Sequence, residues 1–145
     1  MAFPTQTADN HAKMVPAYHY VASPLIFFPT IYFIYLAATD FSVERLMMAL
    51  FGMGLVVGIL YARMFPLGVQ DRVIRLEERL RMERLLPAHQ HGRIHEVSTS
   101  QLIGLRFASD EELPELVERI LDGGLSDRKE IKHAVKNWRA DTQRI

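Results

Sequence analysis

The sequence predicts an all-α protein: a two-helix transmembrane hairpin, then an amphipathic helix and a small three-helix cytoplasmic unit. Two long uncharged runs occupy the first part of the chain, and nearly all charged residues follow position 62. The charged part repeats apolar residues at helical spacing, without the alternation typical of β-strands. The 17 basic and 17 acidic residues give zero net charge, which averages an apolar half and a charged half.

The hairpin is predicted within 15–65. Residues 14–39 carry no charge, and neither do residues 46–62. A transmembrane helix needs roughly 20 apolar residues, so we expect spans at about 18–38 and 45–64. The connecting turn is too short for anything but an antiparallel pair, and Ser42 is a suitable N-cap for the second helix.

Prolines and interfacial side chains refine this prediction. Pro24 and Pro29 lie inside the first span and predict a kink, whereas Pro66 and Gly68 predict a bend after the second span. Residues with an apolar body and a polar tip favour the edge of a membrane. Four such interfacial residues are predicted: Tyr18, His19, Tyr20 and Arg63.

The distribution of arginines predicts the orientation. The turn between the spans contains only Arg45 beside two acids, whereas arginines follow the second span at 63, 72, 75, 79 and 81. Because basic residues flank membrane spans on the cytoplasmic side, both termini should lie in the cytoplasm, including a leader at 1–14. The expected location is the bacterial inner membrane.

The charged half divides into two predicted segments. Residues 66–97 form an amphipathic helix with a histidine-containing loop. Its apolar stripe is Val69, Val73, Leu76 and Leu80, and its expected ion pairs are Asp71–Arg75 and Glu77–Arg81.

Residues 98–145 form the three-helix unit. Capping patterns begin at Ser98, Ser109 and Ser126, and the last helix should carry its apolar stripe through Trp138. A unit this small needs to pack on another element, such as the 69–86 helix, the membrane surface or a partner.

Three groups of residues are candidate sites. Gly54 and Gly58, with Gly52 beside them, form a GxxxG pattern. Such glycines let a helix of the same chain or of another subunit approach closely, although glycine is also common in membrane helices. The cluster of His89, His91 and His95 could bind zinc, but its spacing matches no recognised ligand pattern, so we predict no metal.

His11 and His19 flank the entry to the first span and could ligate the metal of a chlorophyll or haem. An interfacial role is the simpler interpretation. We therefore predict no cofactor held by this chain alone. Bound lipid is expected, and any pigment would contact the chain only through partner subunits.

Enzymatic and nucleic-acid-binding functions are not favoured. The sequence has no nucleophile with its base, no phosphate-binding glycine loop and no cysteine. The last helix is basic, but the helix before it is strongly acidic, so no nucleic acid is expected.

Several segments resemble an uncharacterised family of small bacterial two-span membrane proteins with a helical cytoplasmic half. They are NHAK at 10–13, PAYH at 16–19, QDRVIRLEERLR at 70–81, LRFASDEEL at 105–113 and KHAVKNWRAD at 132–141. The resemblance covers most of the chain. It implies an architecture and no activity.

The favoured function is a non-catalytic accessory or structural subunit that packs on other integral membrane subunits of a larger complex. By analogy of architecture, that complex would be photosynthetic or respiratory. One alternative is a membrane-tethered adaptor that recruits a cytoplasmic protein. Another is a metal protein or enzyme built on the histidine cluster.

Overall fold

The computed structural model describes Thr7 and residues 14–141, and the all-α fold is confirmed. A π-helical segment, Ala17–Ala22, leads into helix α1, Ser23–Thr39, which is followed by α2, Val43–Leu85. A 3-10 helix, Ala88–Glu96, precedes three short helices: α3, Thr99–Leu105; α4, Leu113–Leu121; and α5, Arg128–Ala134. The described residues form no β-strand, although an isolated antiparallel bridge joins Ala108 and Trp138.

The described chain forms two compact units, residues 14–67 and residues 68–141, and helix α2 contributes to both. Two helical stretches, Ala17–Thr39 and Val43–Leu85, are long and apolar enough to cross a membrane. Most side chains within their apolar stretches are exposed, as expected for surfaces that meet lipid or other helices.

The backbone at the start of α1 adapts to its prolines. Pro24 has no N–H group, and the helix just before it is widened to π geometry. The Ser23 N–H accordingly bonds to the carbonyl of Tyr18, five residues back, and Ser23 Oγ donates to the same oxygen at 2.8 Å. Helix α1 then continues through Pro29 to Thr39.

The turn between the helices is fixed by local polar contacts. Ser42 Oγ accepts a hydrogen bond from the Arg45 backbone N–H at 3.2 Å, which confirms the predicted N-cap of α2. Arg45 also forms an ion pair with Asp40 across the turn.

Helix α2 is a single element of 43 residues. It passes through Pro66 and Gly68, so the predicted boundary between the second span and the amphipathic helix falls inside one helix. Its residues Ile74 and Met82 are buried against the rest of residues 68–141, as is Leu86, which directly follows the helix. This is not the face that the sequence pattern singled out, since Val69, Val73, Leu76 and Leu80 are exposed.

The three short helices share one apolar core. Ser98 and Gln101 form the predicted capping box at the start of α3, and α4 buries one face at Leu113, Leu116, Val117 and Ile120. Gly123 follows α4 with a positive φ of 79°, a conformation that glycine adopts without strain. Helices α3 and α5 meet closely at Gly104 and Ile131.

The prediction for the last helix was wrong at both ends. Its N-cap is Asp127, which forms a capping box with Glu130, rather than Ser126. The helix ends at Ala134, because the Glu112 carboxylate accepts hydrogen bonds from the backbone N–H groups of Lys136 and Asn137. The chain then continues in extended form, which brings Trp138 beside Ala108.

The close contact between α3 and α5 gives a first prediction. A Cβ atom added at Gly104 would lie 3.0 Å from Ile131 Cγ2 and 3.2 Å from the Arg128 carbonyl oxygen. Because this backbone oxygen cannot easily move, Gly104→Ala should lower the free energy of unfolding by about 1–3 kcal/mol. The measurement is urea unfolding of the full chain in detergent, followed by the fluorescence of its one tryptophan, Trp138.

Gly92→Ala is the control, since an added Cβ atom would have no neighbour within 4 Å among the described residues. Its free energy of unfolding should stay within about 0.5 kcal/mol of the parent. Equal effects of the two substitutions would contradict the contact at Gly104.

Candidate functional site

The hairpin is held together where a small residue and a hydroxyl group meet. A Cβ atom on Gly52 would lie 2.5 Å from Thr30 Oγ1, so only glycine fits at this crossing of α1 and α2. Thr30 Oγ1 itself donates to the Ile26 carbonyl at 2.7 Å. A second contact lies further along, where Tyr18 Oη donates to the Ile59 carbonyl oxygen at 2.9 Å.

The other two glycines of α2 face elsewhere. A Cβ atom at Gly54 or Gly58 would have no contact within 4 Å in the described part of the chain, apart from its own local helix. Gly52 therefore serves the contact within the hairpin, and the Gly54–Gly58 pair remains open to a further helix. Its predicted packing role stays a prediction.

His19 lies in a small apolar cleft of the hairpin. The cleft has a volume of about 250 Å³, and its lining includes Tyr18, Phe27, Val56, Ile59 and Leu60. The Nδ1 atom of His19 lies 2.9 Å from the Val15 carbonyl oxygen, one helical turn earlier. The Val15 backbone nitrogen lies 3.1 Å from the same Nδ1 atom, so Nδ1 is engaged by Val15 whichever ring nitrogen carries the proton.

The other predicted interfacial and cofactor residues are not brought to that cleft. Tyr20 is 66% exposed, and Arg63 is half-buried. His11 lies outside the described residues. The predicted interfacial roles of Tyr18, His19, Tyr20 and Arg63 are not decided by these positions.

The main polar cluster of residues 68–141 is built around the buried guanidinium of Arg81. Its Nη1 donates to Glu78 Oε2 at 3.0 Å, and its Nη2 donates to the Ala108 carbonyl at 2.7 Å. Its Nε donates to Asp110 Oδ1 at 2.7 Å. Arg81 thus pairs with Glu78 and Asp110, and not with Glu77 as predicted.

The pKa values of the two carboxyl groups shift in opposite directions, because burial dominates at Glu78 and pairing with Arg81 dominates at Asp110. Burial raises the pKa of Glu78, and the charge of Arg81 offsets part of this effect. The hydrogen bond from Arg81 lowers the pKa of Asp110, which lies at the exposed rim of the cluster. The buried charge of Arg81 is therefore compensated by two carboxylates and a backbone carbonyl, as a charge removed from water requires.

A charged groove of about 1020 Å³ lies beside this cluster. Its rim carries both signs, with Arg84, Arg139, Asp110, Glu111 and Asp141 among its lining residues. Two ion pairs lie along it. Arg84 Nη2 is 3.6 Å from Asp110 Oδ2, and Arg106 Nη1 is 3.5 Å from Asp141 Oδ2. A groove of mixed charge suits a polar protein segment better than a small apolar ligand.

An aromatic stack supports one side of this region. The Trp138 ring stacks on Phe107 with centroids 4.5 Å apart, and the Arg106 guanidinium lies 4.5 Å from the centre of the Phe107 ring. The Arg139 N–H donates to the Phe107 carbonyl at 2.7 Å. These contacts fix the extended segment after α5 against the residues that follow α3.

The three histidines of the proposed metal cluster lie on the exposed 3-10 helix, Ala88–Glu96. The Nε2 atom of His91 is 2.9 Å from the Leu86 carbonyl oxygen, so it faces the backbone. Among the described residues, no group of three or more His, Cys, Asp or Glu side chains is placed to hold a metal ion.

The Arg81 cluster was not predicted from the sequence. Glu78 was not considered, although it lies between Ile74 and Met82 at steps of four residues along a helix. These three residues form a second stripe along the helix, but a charged residue at its centre does not fit the pattern of an apolar face. The partner Asp110 comes from a separate loop, and no local pattern indicates that contact.

Comparison with known proteins places the chain in a family. Its residues 1–145 match the model of the family described as "Family of unknown function (DUF6526)". The chain belongs to this family. The resemblance to an uncharacterised family is thereby confirmed. No curated protein and no solved structure matches the DUF6526 chain.

The Arg81 cluster gives a second prediction. Arg81→Ala removes all three hydrogen bonds and leaves the Glu78 carboxyl buried without its main donor. We expect the free energy of unfolding to fall by about 3–5 kcal/mol. The same tryptophan-fluorescence unfolding in urea measures it, because Trp138 lies in this unit.

Arg84→Ala is the matched control. The Arg84 side chain is 69% exposed, and its contact to Asp110 is long. Its loss should cost at most about 1 kcal/mol. A small effect of Arg81→Ala, similar to that of Arg84→Ala, would show that the cluster does not stabilise the fold.

Proposed function

We propose that this chain is a non-catalytic accessory subunit of a larger bacterial membrane complex. The hairpin would cross the inner membrane, pack on integral membrane subunits and hold the helical unit at the cytoplasmic face. The observation that carries the proposal is that the glycines of α2 lie in different surroundings. Gly52 packs on Thr30 of the same hairpin, whereas Gly54 and Gly58 present an open small-residue surface.

Small residues matter in membranes because lipid is as apolar as leucine. Helix association there depends on close van der Waals contact, which glycine permits. Because α1 and α2 pack on each other at Gly52, Gly54 and Gly58 remain available for contact with a second protein. By analogy of architecture, the complex we propose is an energy-transducing one, photosynthetic or respiratory.

The rival function is a membrane-tethered adaptor, and the charged groove favours it. Exposed arginine and carboxylate side chains at that rim suit a polar segment of a cytoplasmic protein. An accessory subunit should co-migrate with its complex at fixed stoichiometry after gentle detergent extraction. An adaptor should be substoichiometric, and an enzyme built on the histidine cluster should be active alone.

The glycine surface provides a third prediction. Gly54→Leu or Gly58→Leu should strip the chain from its complex, because a leucine keeps the facing helix at a distance. Bulk forced into such a contact costs about 1–3 kcal/mol. The measurement is the amount of this chain that co-purifies with the complex from each strain.

Ala38→Leu is the control, since it adds the same side chain at an exposed small residue of α1. It should leave co-purification unchanged. Full retention of the two glycine variants would place the attachment elsewhere and remove the main support for the proposal.

The proposed orientation gives a fourth prediction. Fusions of a compartment-sensitive reporter after residue 145 and within the 40–44 turn should give opposite signals, with the cytoplasmic signal at the C-terminus. The physical reason is the excess of arginine after the second span. Identical signals at the two sites would refute the transmembrane hairpin.

A further inference from the structure

The C-terminal part of helix α2 has two opposite faces. One face, with Ile74, Glu78, Arg81 and Met82, is buried within residues 68–141. The other carries four large apolar side chains that remain open: Val69 is 59% exposed, Val73 48%, Leu76 61% and Leu80 57%. They follow the apolar run predicted to cross the membrane, so lipid tails do not explain the whole stripe.

We propose that a second copy of this chain covers the stripe, so that two α2 helices pair in parallel along residues 69–80. The inference goes beyond the proposed function, because a subunit of a larger complex can be present once or twice.

The spacing of the stripe is that of a coiled coil. Steps of four, three and four place Val69 and Leu76 at d positions and Val73 and Leu80 at a positions of a heptad. In the same heptad, the buried residues occupy positions b, c and f, away from the a/d seam. The core contacts of α2 therefore lie outside the seam, although Val73, Glu77 and Leu80 also line one side of the charged groove.

Charges beside the seam select a copy of the same helix in the same direction. Arg72 is at position g and Glu77 at position e, and in a parallel pair each g residue faces the e residue five positions later on the partner. Arg72 of each copy would meet Glu77 of the other, twice by symmetry. The next pair of this kind joins Arg79 to Arg84 and carries like charges, but Arg84 lies beyond the last seam residue, and its Nη2 atom lies 3.6 Å from Asp110 Oδ2 of its own chain. Within the described part of the chain, neither residue has an ion pair, and both are exposed.

An antiparallel pair is disfavoured on two grounds. It would bring Arg72 near Arg79, both at g positions, which repel each other. Two copies inserted in one membrane with the same topology also have parallel α2 helices. The membrane confines both copies, which raises their effective concentration and lets a short seam suffice. The seam ends where Glu83 takes the next d position.

Cysteine crosslinking tests this pairing cleanly because the chain contains no cysteine. Val73→Cys and Leu76→Cys are each placed in the full chain, with Arg75→Cys as an exposed control at position c. A disulfide needs Cα atoms within about 4–7 Å, which facing seam residues satisfy and position c does not. Mild oxidation of native membranes should give homodimers from the two seam variants, several-fold more than from the control.

A charge exchange supplies a second readout. Adding Glu77→Arg to the Leu76→Cys chain should reduce the dimer yield several-fold, and adding Arg72→Glu as well should restore it. Equal yields at 73, 75 and 76, or no homodimer from a chain that accumulates normally, would overturn the proposal. A crosslinked product containing a different protein would also overturn it and assign the stripe to that partner.

Co-migration with the larger complex is measured on the same membranes. A chain that co-migrates without homodimer contradicts only the pairing. A homodimer that migrates alone contradicts only the accessory-subunit function.

Discussion

The structure depends on helix α2 remaining helical from Val43 to Leu85, through Pro66. Proline removes one helical hydrogen bond, because the Ala62 carbonyl has no N–H group at position 66 to accept. Good helix formers, Met64 and Leu67, lie close to it on either side. The helix therefore continues, and one element carries both an apolar stretch and a charged stretch.

The charged stretch is held in the fold by Arg81. A guanidinium group can donate in several directions at once, and here it reaches a carboxylate on its own helix, a carboxylate on a loop and a backbone carbonyl. Lysine could not reproduce this planar arrangement. Because the Arg81 contacts extend to Ala108 and Asp110, they join helix α2 to the segment that separates α3 from α4.

Local patterns predicted the fold class, the two long apolar helices and the N-caps of α2 and α3. Helix α4, by contrast, begins at Leu113 with Glu112 as its N-cap, rather than at the predicted Ser109. Ser42 and Ser98 act as caps because capping depends on residues within one turn. The end of α5 was not predictable, since Glu112, more than 20 positions earlier, captures the N–H groups of residues 136 and 137. The same limit applies to the candidate site: Gly52 and Gly54 look alike in sequence, and only the position of Thr30 distinguishes them.

One helix, α2, contains both the second predicted membrane span and the part that packs in the helical unit, so both roles depend on its continuity. Hydrogen–deuterium exchange of the full chain in detergent tests this directly at the amides of residues 67–70, which bond across Pro66 if the helix is intact. If α2 is continuous, these amides should exchange as slowly as those of residues 78–82. Exchange as fast as in an unstructured segment would show two separate helices and contradict that continuity.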